Sequence, residues 1–481
     1  MAGVQSSTGS QKRLRTNEAG ESADAAEVQC VNEYRGYEFS ENINSIERVS
    51  ISDVTPEDFF ATYVCTRTPV VLTGFLQDPE FKAPAKWSNE RLIELAGDTN
   101  VTVERRGDIN DKFGKGIAVE MPFHELVTLI AAGDEMHYLT TQEVAAEEDG
   151  RPEIMAPFMK QLQRDFPLRP KLMGHLIPQN INMWMGNNKH GSSSGLHHDH
   201  HDNLYILLRG KKRFRLYSPG DADKMYVRGR IVHVHPNGLI NYAGKETTPY
   251  GAEPAAEREA LAAIERTAAE RELAEAEKAV EDGEPGAEDR LEAAENRLEK
   301  AMFGVLQADA SDGEGDDEDF ENEAFHFEES EAEGDDESDV GELDDLALDP
   351  EDEEAATQAA KPATKRDATQ AEITYPVSFS KVDTFRLRGS EQAQRELHEE
   401  FPKFKEAKVA FCDLAAGEML FLPASWFHEV ESFGSPDGNG HLALNYWYQP
   451  PDQLKPGNFT APYSSPFWQR DWDQRFEANK D

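Results

Sequence analysis

From Asn182 onward the chain is written in short apolar runs broken by turn residues: 182–185, 204–208, 213–217, 409–413, 419–422 and 442–448. Runs of four to seven residues have the length of strands and are too short for amphipathic helices. Repeated with Gly, Pro and Ser between them, they predict an all-β sandwich or barrel. Arg209-Gly210-Lys211-Lys212 sits between two runs and suits a tight hairpin.

The β pattern is interrupted by a segment of different chemistry. Of the formal charge of −44, residues 309–354 carry −25, with 25 Asp and Glu and no Lys or Arg. Before them, Leu261, Ile264 and Ala268, then Leu291, Ala294, Leu298 and Met302, recur at spacings of three and four around the breaker Asp282-Gly283-Glu284-Pro285-Gly286. Residues 254–306 therefore read as a helical hairpin, and 307–372, lacking apolar periodicity, as disordered. Apolar runs at 231–234 and 377–379 on either side suggest one domain with an insertion, since closure entropy grows only logarithmically with loop length. The expected divisions are a disordered tail at 1–32, an α/β part at 33–150, and a barrel from 151–249 with 373–462. The insertion at 250–372 and a C-terminal segment at 463–481 complete them.

Within the α/β part, Thr55-Pro56-Glu57-Asp58 starts a helix expected to reach Cys65. A strand is expected over 69–72, and helices after Ser88 and from Pro122 to Gly133. The part has no catalytic cluster and reads as a supporting layer. Three scattered cysteines fit no disulfide framework or zinc module and point to a reducing, intracellular compartment, nucleus or cytoplasm. The first twenty residues lack the apolar core of a secretory signal, and no uncharged run reaches the ~18–20 residues of a membrane span. Direct nucleic-acid binding is disfavoured because it rests on Lys and Arg; the short cluster Lys12-Arg13-Leu14-Arg15 is a nuclear address or a solvated tail.

Chemistry concentrates in Gly195-Leu196-His197-His198-Asp199-His200-His201-Asp202-Asn203. On a strand, residues two apart share a face, so His197 and Asp199 offer an imidazole and a carboxylate to one point. His428, after the run Leu420-Phe421-Leu422, is a third candidate. Two His and one carboxylate leave positions open on an octahedral metal, the arrangement of non-haem Fe(II) oxygenases. His200-His201-Asp202 is also a His-x-Asp, and spacing alone does not choose; the roles of His198, His200 and His201 stay open. His233 and His235 share a strand face without a nearby carboxylate and, with His441, read as surface or supporting residues. Trp184 and Trp426 read as packing.

Residues 195–219, with His197-x-Asp199, Asp202-Asn203-Leu204 and Gly210-Lys211-Lys212-Arg213-Phe214, resemble the first half of a JmjC, or cupin-like, domain. Gly417-Glu418-Met419-Leu420-Phe421-Leu422-Pro423 through Trp426-Phe427-His428 resembles its second half, and Leu444-Asn445-Tyr446-Trp447-Tyr448 its closing strand. The resemblance is to the small JmjC protein hydroxylases, over about 37–249 and 375–450. It implies a mainly β fold with α: a double-stranded β-helix (cupin or jelly-roll) core, here with an N-terminal α/β layer. The family pattern places a co-substrate lysine thirteen residues after the metal Asp, which from Asp199 reaches Lys212 and from Asp202 reaches Arg215. The resemblance thus implies His197, Asp199 and His428 as the catalytic metal triad, and Lys212, Ser194, Tyr138 and Asn445 around 2-oxoglutarate.

By the same resemblance the cofactor is Fe(II), with 2-oxoglutarate and O₂ as co-substrates, and the reaction is hydroxylation of a protein side chain. N-methyl-lysine demethylation, tRNA modification, a non-catalytic cupin-fold binding protein and a Zn²⁺ or Mn²⁺ cupin isomerase or lyase are the rivals. The acidic stretch either attracts a basic protein of histone or ribosomal type or is a solvated linker. Trp468 and Trp472 could dock on a second subunit, which makes a homodimer a further candidate.

Overall fold

The structure, a computed structural model, describes residues 30–40, 45–108, 114, 116–145, 152–310 and 376–476. The basic cluster at 12–15 and the acidic stretch beyond 310 lie outside the described residues, as does the expected tail up to residue 29. Val31–Asn32, the end of the expected tail, is a strand paired in parallel with Ile231–Val234.

Two sheets face each other. The smaller runs in the order Val409–Ala415, Lys211–Tyr217, Phe427–Phe433, Ser192–Ser193. The larger is built around Val70–Thr73, Glu418–Leu422, Asp202–Arg209, His441–Tyr448 and Pro178–Gly186, and extends through His137–Leu139 to Asn100–Arg105 and Ile117–Pro122. Strands from before and after the insertion alternate in both sheets, as in a jelly roll. Side-chain alternation separates two cores. Tyr205, Leu207, Leu420, Leu422 and Ala443 pack between the sheets against Phe214, Leu216 and Cys412. Leu204, Ile206, Met419, Phe421 and Leu444 face the other way, onto Phe59, Tyr63, Leu92, Phe123 and Phe158 of the N-terminal helices. A sheet covered on both faces reads as continuous apolar runs, which is why these strands show no alternation in sequence.

The turn at Gly210 differs from the expected hairpin. Asp202–Arg209 pairs with Glu418–Leu422 and His441–Tyr448, whereas Lys211–Tyr217 pairs with Val409–Ala415 and Phe427–Phe433. The chain changes sheets there instead of folding back. Gly210 has φ +83°, and a Cβ would lie 2.6 Å from the Cβ of His441 and from the carbonyl oxygen of Phe433. Only glycine passes this corner without strain.

The N-terminal layer follows its capping signals. Thr55 accepts from the amide of Asp58 at the head of Pro56–Phe59, which continues as a π-helical turn over Phe60–Val64. Ser88 caps Asn89–Ala96 in the same way. The insertion begins as two antiparallel helices, Pro254–Glu281 and Ala287–Ala310, the second running past the expected limit of 306. Ala269, Ala276, Ala287, Ala294 and Ala301 are buried along them, small side chains that let two helices approach closely. The apolar run at 377–379 is a turn, with the Phe379 amide bonded to the carbonyl of Pro376, and only Ser380 forms a bridge, to Val227. Trp472 is buried in the chain's own core, and Trp468, partly buried against that core, donates to the carbonyl of Tyr250.

Candidate metal centre

His428 lies at the start of Phe427–Phe433, and the loop carrying His197 returns beside it. The two residues exchange both backbone hydrogen bonds, at 3.0 and 2.7 Å. Directly opposed residues of an antiparallel pair point to one face, and the imidazole centroids stand 4.4 Å apart. Asp199 does not share a strand with His197, as the i, i+2 argument supposed; it lies in the loop leading into Asp202–Arg209. The Ser425 amide fixes it by donating to the Asp199 carbonyl at 2.7 Å. Ser425 holds φ +61°, a conformation that costs a non-glycine residue about 1–3 kcal/mol and persists where its surroundings demand it.

Asp199 Oδ1 is 3.9 Å from His197 Nε2, and Oδ2 is 3.7 Å from His428 Nε2. One ligand atom from each residue falls within 4.8 Å of the others. Donors about 2.1 Å from a common ion stand about 3–4 Å apart, so the set is of the right size. Each imidazole hydrogen-bonds through Nδ1 to the carbonyl two residues upstream, His197 to Gly195 at 3.0 Å and His428 to Trp426 at 2.9 Å. With the proton held on Nδ1, both Nε2 lone pairs face the carboxylate. Burial, then the neighbouring His428, brings the His197 imidazole down to about 4, so it stays neutral at physiological pH.

Asp202 is engaged elsewhere. Arg67 grips both of its oxygens, one at 2.8 Å, the Ala424 amide donates to it at 2.8 Å, and both charged side chains are 0% exposed. The second His-x-Asp is thereby an internal brace. The N-terminal part is more than a supporting layer, because Arg67 comes from it.

Lys212 is 1% exposed and points inward from Lys211–Tyr217. Its Nζ donates to Ser432 Oγ at 2.5 Å and Tyr138 Oη at 3.3 Å and lies over the rings of Tyr138 and Tyr205. No carboxylate pairs with it among the described residues. Burial alone lowers its ammonium to about 7; burial first, with Glu104 adding to it against Ser432 and Arg106, raises the Tyr138 phenol to about 12. Lys212, Tyr138, Ser432 and the three metal-type residues line one cavity of about 390 Å³.

The family described as cupin-like domain matches residues 56–454. JmjC domain-containing protein 4 of Schizosaccharomyces pombe is 32% identical over 444 residues, 89% of either chain. The chain belongs to the cupin-like JmjC family. It also resembles the bifunctional peptidase and (3S)-lysyl hydroxylase JMJD7 of Homo sapiens, 25% identical over 35% of this chain and 52% of that protein. Lysine-specific demethylase JMJ32 of Arabidopsis thaliana is 37% identical over 17% of this chain and 24% of that protein.

Around this JmjC centre the other expected residues divide. Ser194 lines the cavity, but its hydroxyl accepts from the Val430 amide and donates to the Gly195 carbonyl, both at 3.0 Å. The serine that touches Lys212 is Ser432, directly opposite it across the strand pair. Asn445 stands behind the cavity wall, accepting from Trp184 Nε1 at 2.8 Å and donating to Asn203 at 3.2 Å, and both of those residues line it. Trp184 is therefore wall as well as packing, while Trp426 is buried against Tyr37 and Phe39. His198 turns to Tyr242 Oη at 2.6 Å, and His200 and His201 line the cavity against Tyr242 and Trp447. His233 and His235 stack at 4.3 Å, with a carboxylate supplied from far off in sequence by Glu33. His441 is buried beside Tyr138, within the field of Lys212, and held well below its ordinary value by burial. No helix among the described residues is long and apolar enough to cross a membrane.

Proposed function

We propose that this chain is an Fe(II)- and 2-oxoglutarate-dependent oxygenase that hydroxylates a protein side chain. One observation carries the reading: an ammonium with no counter-charge among the described residues is buried in the same cavity as two imidazoles and a carboxylate that face one point. The donor set fits an octahedral iron with an open face, and the isolated Lys212 fits the distal carboxylate of a dicarboxylic acid that chelates through its other end. When bound, iron would let O₂ serve as the oxidant that converts C–H to C–OH, with 2-oxoglutarate supplying the other two electrons, taking up the second oxygen atom and leaving as succinate and CO₂.

The chain's own residues do the rest. His197, Asp199 and His428 would hold the metal, with Gly195 and Trp426 keeping each imidazole in the Nε2-ligating tautomer. Lys212, Tyr138 and Ser432 would hold the far carboxylate, replacing its water by three preorganised donors. Phe214, Trp184, Tyr205, Phe379 and Trp447 wall the cavity and limit bulk water. The resemblance to a lysyl hydroxylase supports a protein side chain as the target, and the concentrated negative charge at 309–354 suits a basic protein substrate. The resemblance to a lysine demethylase keeps methyl-lysine open, since the same apparatus serves both.

Succinate release should therefore depend on Fe(II), 2-oxoglutarate and a polypeptide. Peptide pools, methyl-lysine histone tails and tRNA are compared, with mass spectrometry on the products. A gain of about 16 Da on a peptide is expected for oxygen insertion; a loss of about 14 Da identifies demethylation. Turnover with no succinate in any arm counts against the oxygenase reading and for a cupin lyase or isomerase.

Lys212 also makes 2-oxoglutarate binding pH-dependent. The free site holds a proton on Lys212 below about 7 and loses it above, whereas the bound dianion selects the protonated form. Affinity should be flat below pH ~7 and fall above it, approaching tenfold per pH unit until the proton is lost from the complex as well. Calorimetric titration of metal-loaded protein between pH about 6.5 and 8.5 checks this, and a flat profile contradicts it.

A further inference from the structure

We infer that the segment by which the chain re-enters the barrel after the acidic insertion is a strap for the metal centre, with Phe379 as a positioning residue for His197. The inference rests on the reading of His197 and His428 as metal ligands.

Phe379 is 6% exposed and lies face to face on the His197 imidazole, centroids 4.7 Å apart and planes 8° from parallel. The hydrogen bond from Nδ1 to Gly195 fixes one edge of that ring but leaves rotation about the bonded edge; a parallel ring on its face removes that freedom. The strap is itself held on both flanks. Phe379 and Val377 accept from the amides of Arg228 and Gly229, each at 2.9 Å, and Ser380 Oγ donates to the Met225 carbonyl at 2.5 Å. The Ser380 amide donates at 2.9 Å to the carbonyl of Leu196, the residue before His197.

Nine residues on, Arg388 reaches the strand of the other imidazole, pairing with Glu431 and lying 3.3 Å from Glu429. Glu429 follows His428 in sequence, is 1% exposed, and also binds Ser193 Oγ at 2.6 Å. One short segment thus touches both the loop that carries His197 and the strand that carries His428. The insertion's other base is also at the cavity: Lys245, Thr247 and Gly251 line it, and the helix Phe467–Phe476 adds Trp468, Asp471 and Arg475. The insertion therefore emerges beside the metal site, and its return path supports a ligand.

Co(II) alone is the probe, titrated into the full chain and into Phe379→Leu and Phe379→Tyr, with affinity, visible d–d spectrum and melting temperature of the metal-free protein all read. Leucine keeps the apolar volume but offers no planar face; tyrosine keeps the face. The expected result is Co(II) binding weakened about three- to tenfold in Phe379→Leu with an altered spectrum, and both restored in Phe379→Tyr. Wild-type affinity and spectrum in Phe379→Leu overturn the strap, as does equal damage in both variants in step with a lowered melting temperature, which marks plain core filling. A wild-type chain that takes up no Co(II) overturns the metal reading first, and this inference with it.

Discussion

Lys212→Met is expected to cripple co-substrate use while making the protein more stable. Removing one partner of a buried charge-assisted contact typically costs 2–5 kcal/mol of binding, so 2-oxoglutarate turnover should fall on the order of a hundredfold or more. Without co-substrate, the ammonium sits in a pocket lined by Tyr138, Tyr205 and Ser432 with no carboxylate beside it among the described residues. Methionine fills similar volume without the desolvation cost, so the metal-free protein should gain about 1–4 kcal/mol. The sign follows from linkage. The folded value of about 7 lies below the unfolded 10.5, so between them the unfolded chain binds the extra proton and wild-type stability rises with pH. The gain from methionine should be largest below pH ~7 and shrink above it. Melting scans of metal-free protein across that range, beside succinate assays, check both halves; loss of both activity and stability would mean Lys212 is a structural lysine.

The two His-x-Asp triplets should separate just as sharply. Asp199→Asn is expected to abolish metal uptake and leave the melting temperature of the metal-free protein nearly unchanged, because that carboxylate faces the cavity. Asp202→Asn should do the reverse. It strands the buried Arg67 guanidinium, a loss of about 3–5 kcal/mol from a protein whose total stability is of the order of 5–15 kcal/mol. Poor folding or a melting temperature lowered by many degrees is expected, with metal binding retained in whatever fraction folds. Metal lost through Asp202→Asn at unchanged stability would transfer the ligand role to the second triplet.

Most of the barrel was legible because strand-length apolar runs survive any reading frame of the fold. The caps at Thr55 and Ser88 were legible because a helix start is a local event. The sheet change at Gly210 was not, since a glycine between two strands looks the same whether they pair or part company. The choice between Asp199 and Asp202 needed either the family register or Arg67, which lies 135 residues upstream. Ser432 is hidden for a similar reason: only the register that sets Lys212 opposite Ser432 reveals the contact, whereas the family resemblance implies Ser194. The run at 377–379 has the composition of a strand; its turn is imposed by the loop at 225–229 and the ligand loop it bridges. In each case the missing information is a contact between distant segments, which local propensity does not encode.

His197, Asp199 and His428 are expected to hold one iron whose open face takes a 2-oxo acid. The direct measurement is an anaerobic titration of the iron-loaded chain with 2-oxoglutarate, followed in the visible range. A weak charge-transfer band that saturates with 2-oxoglutarate and is absent from His197→Ala is the predicted result. A folded, iron-loaded chain that gives no such band would contradict it.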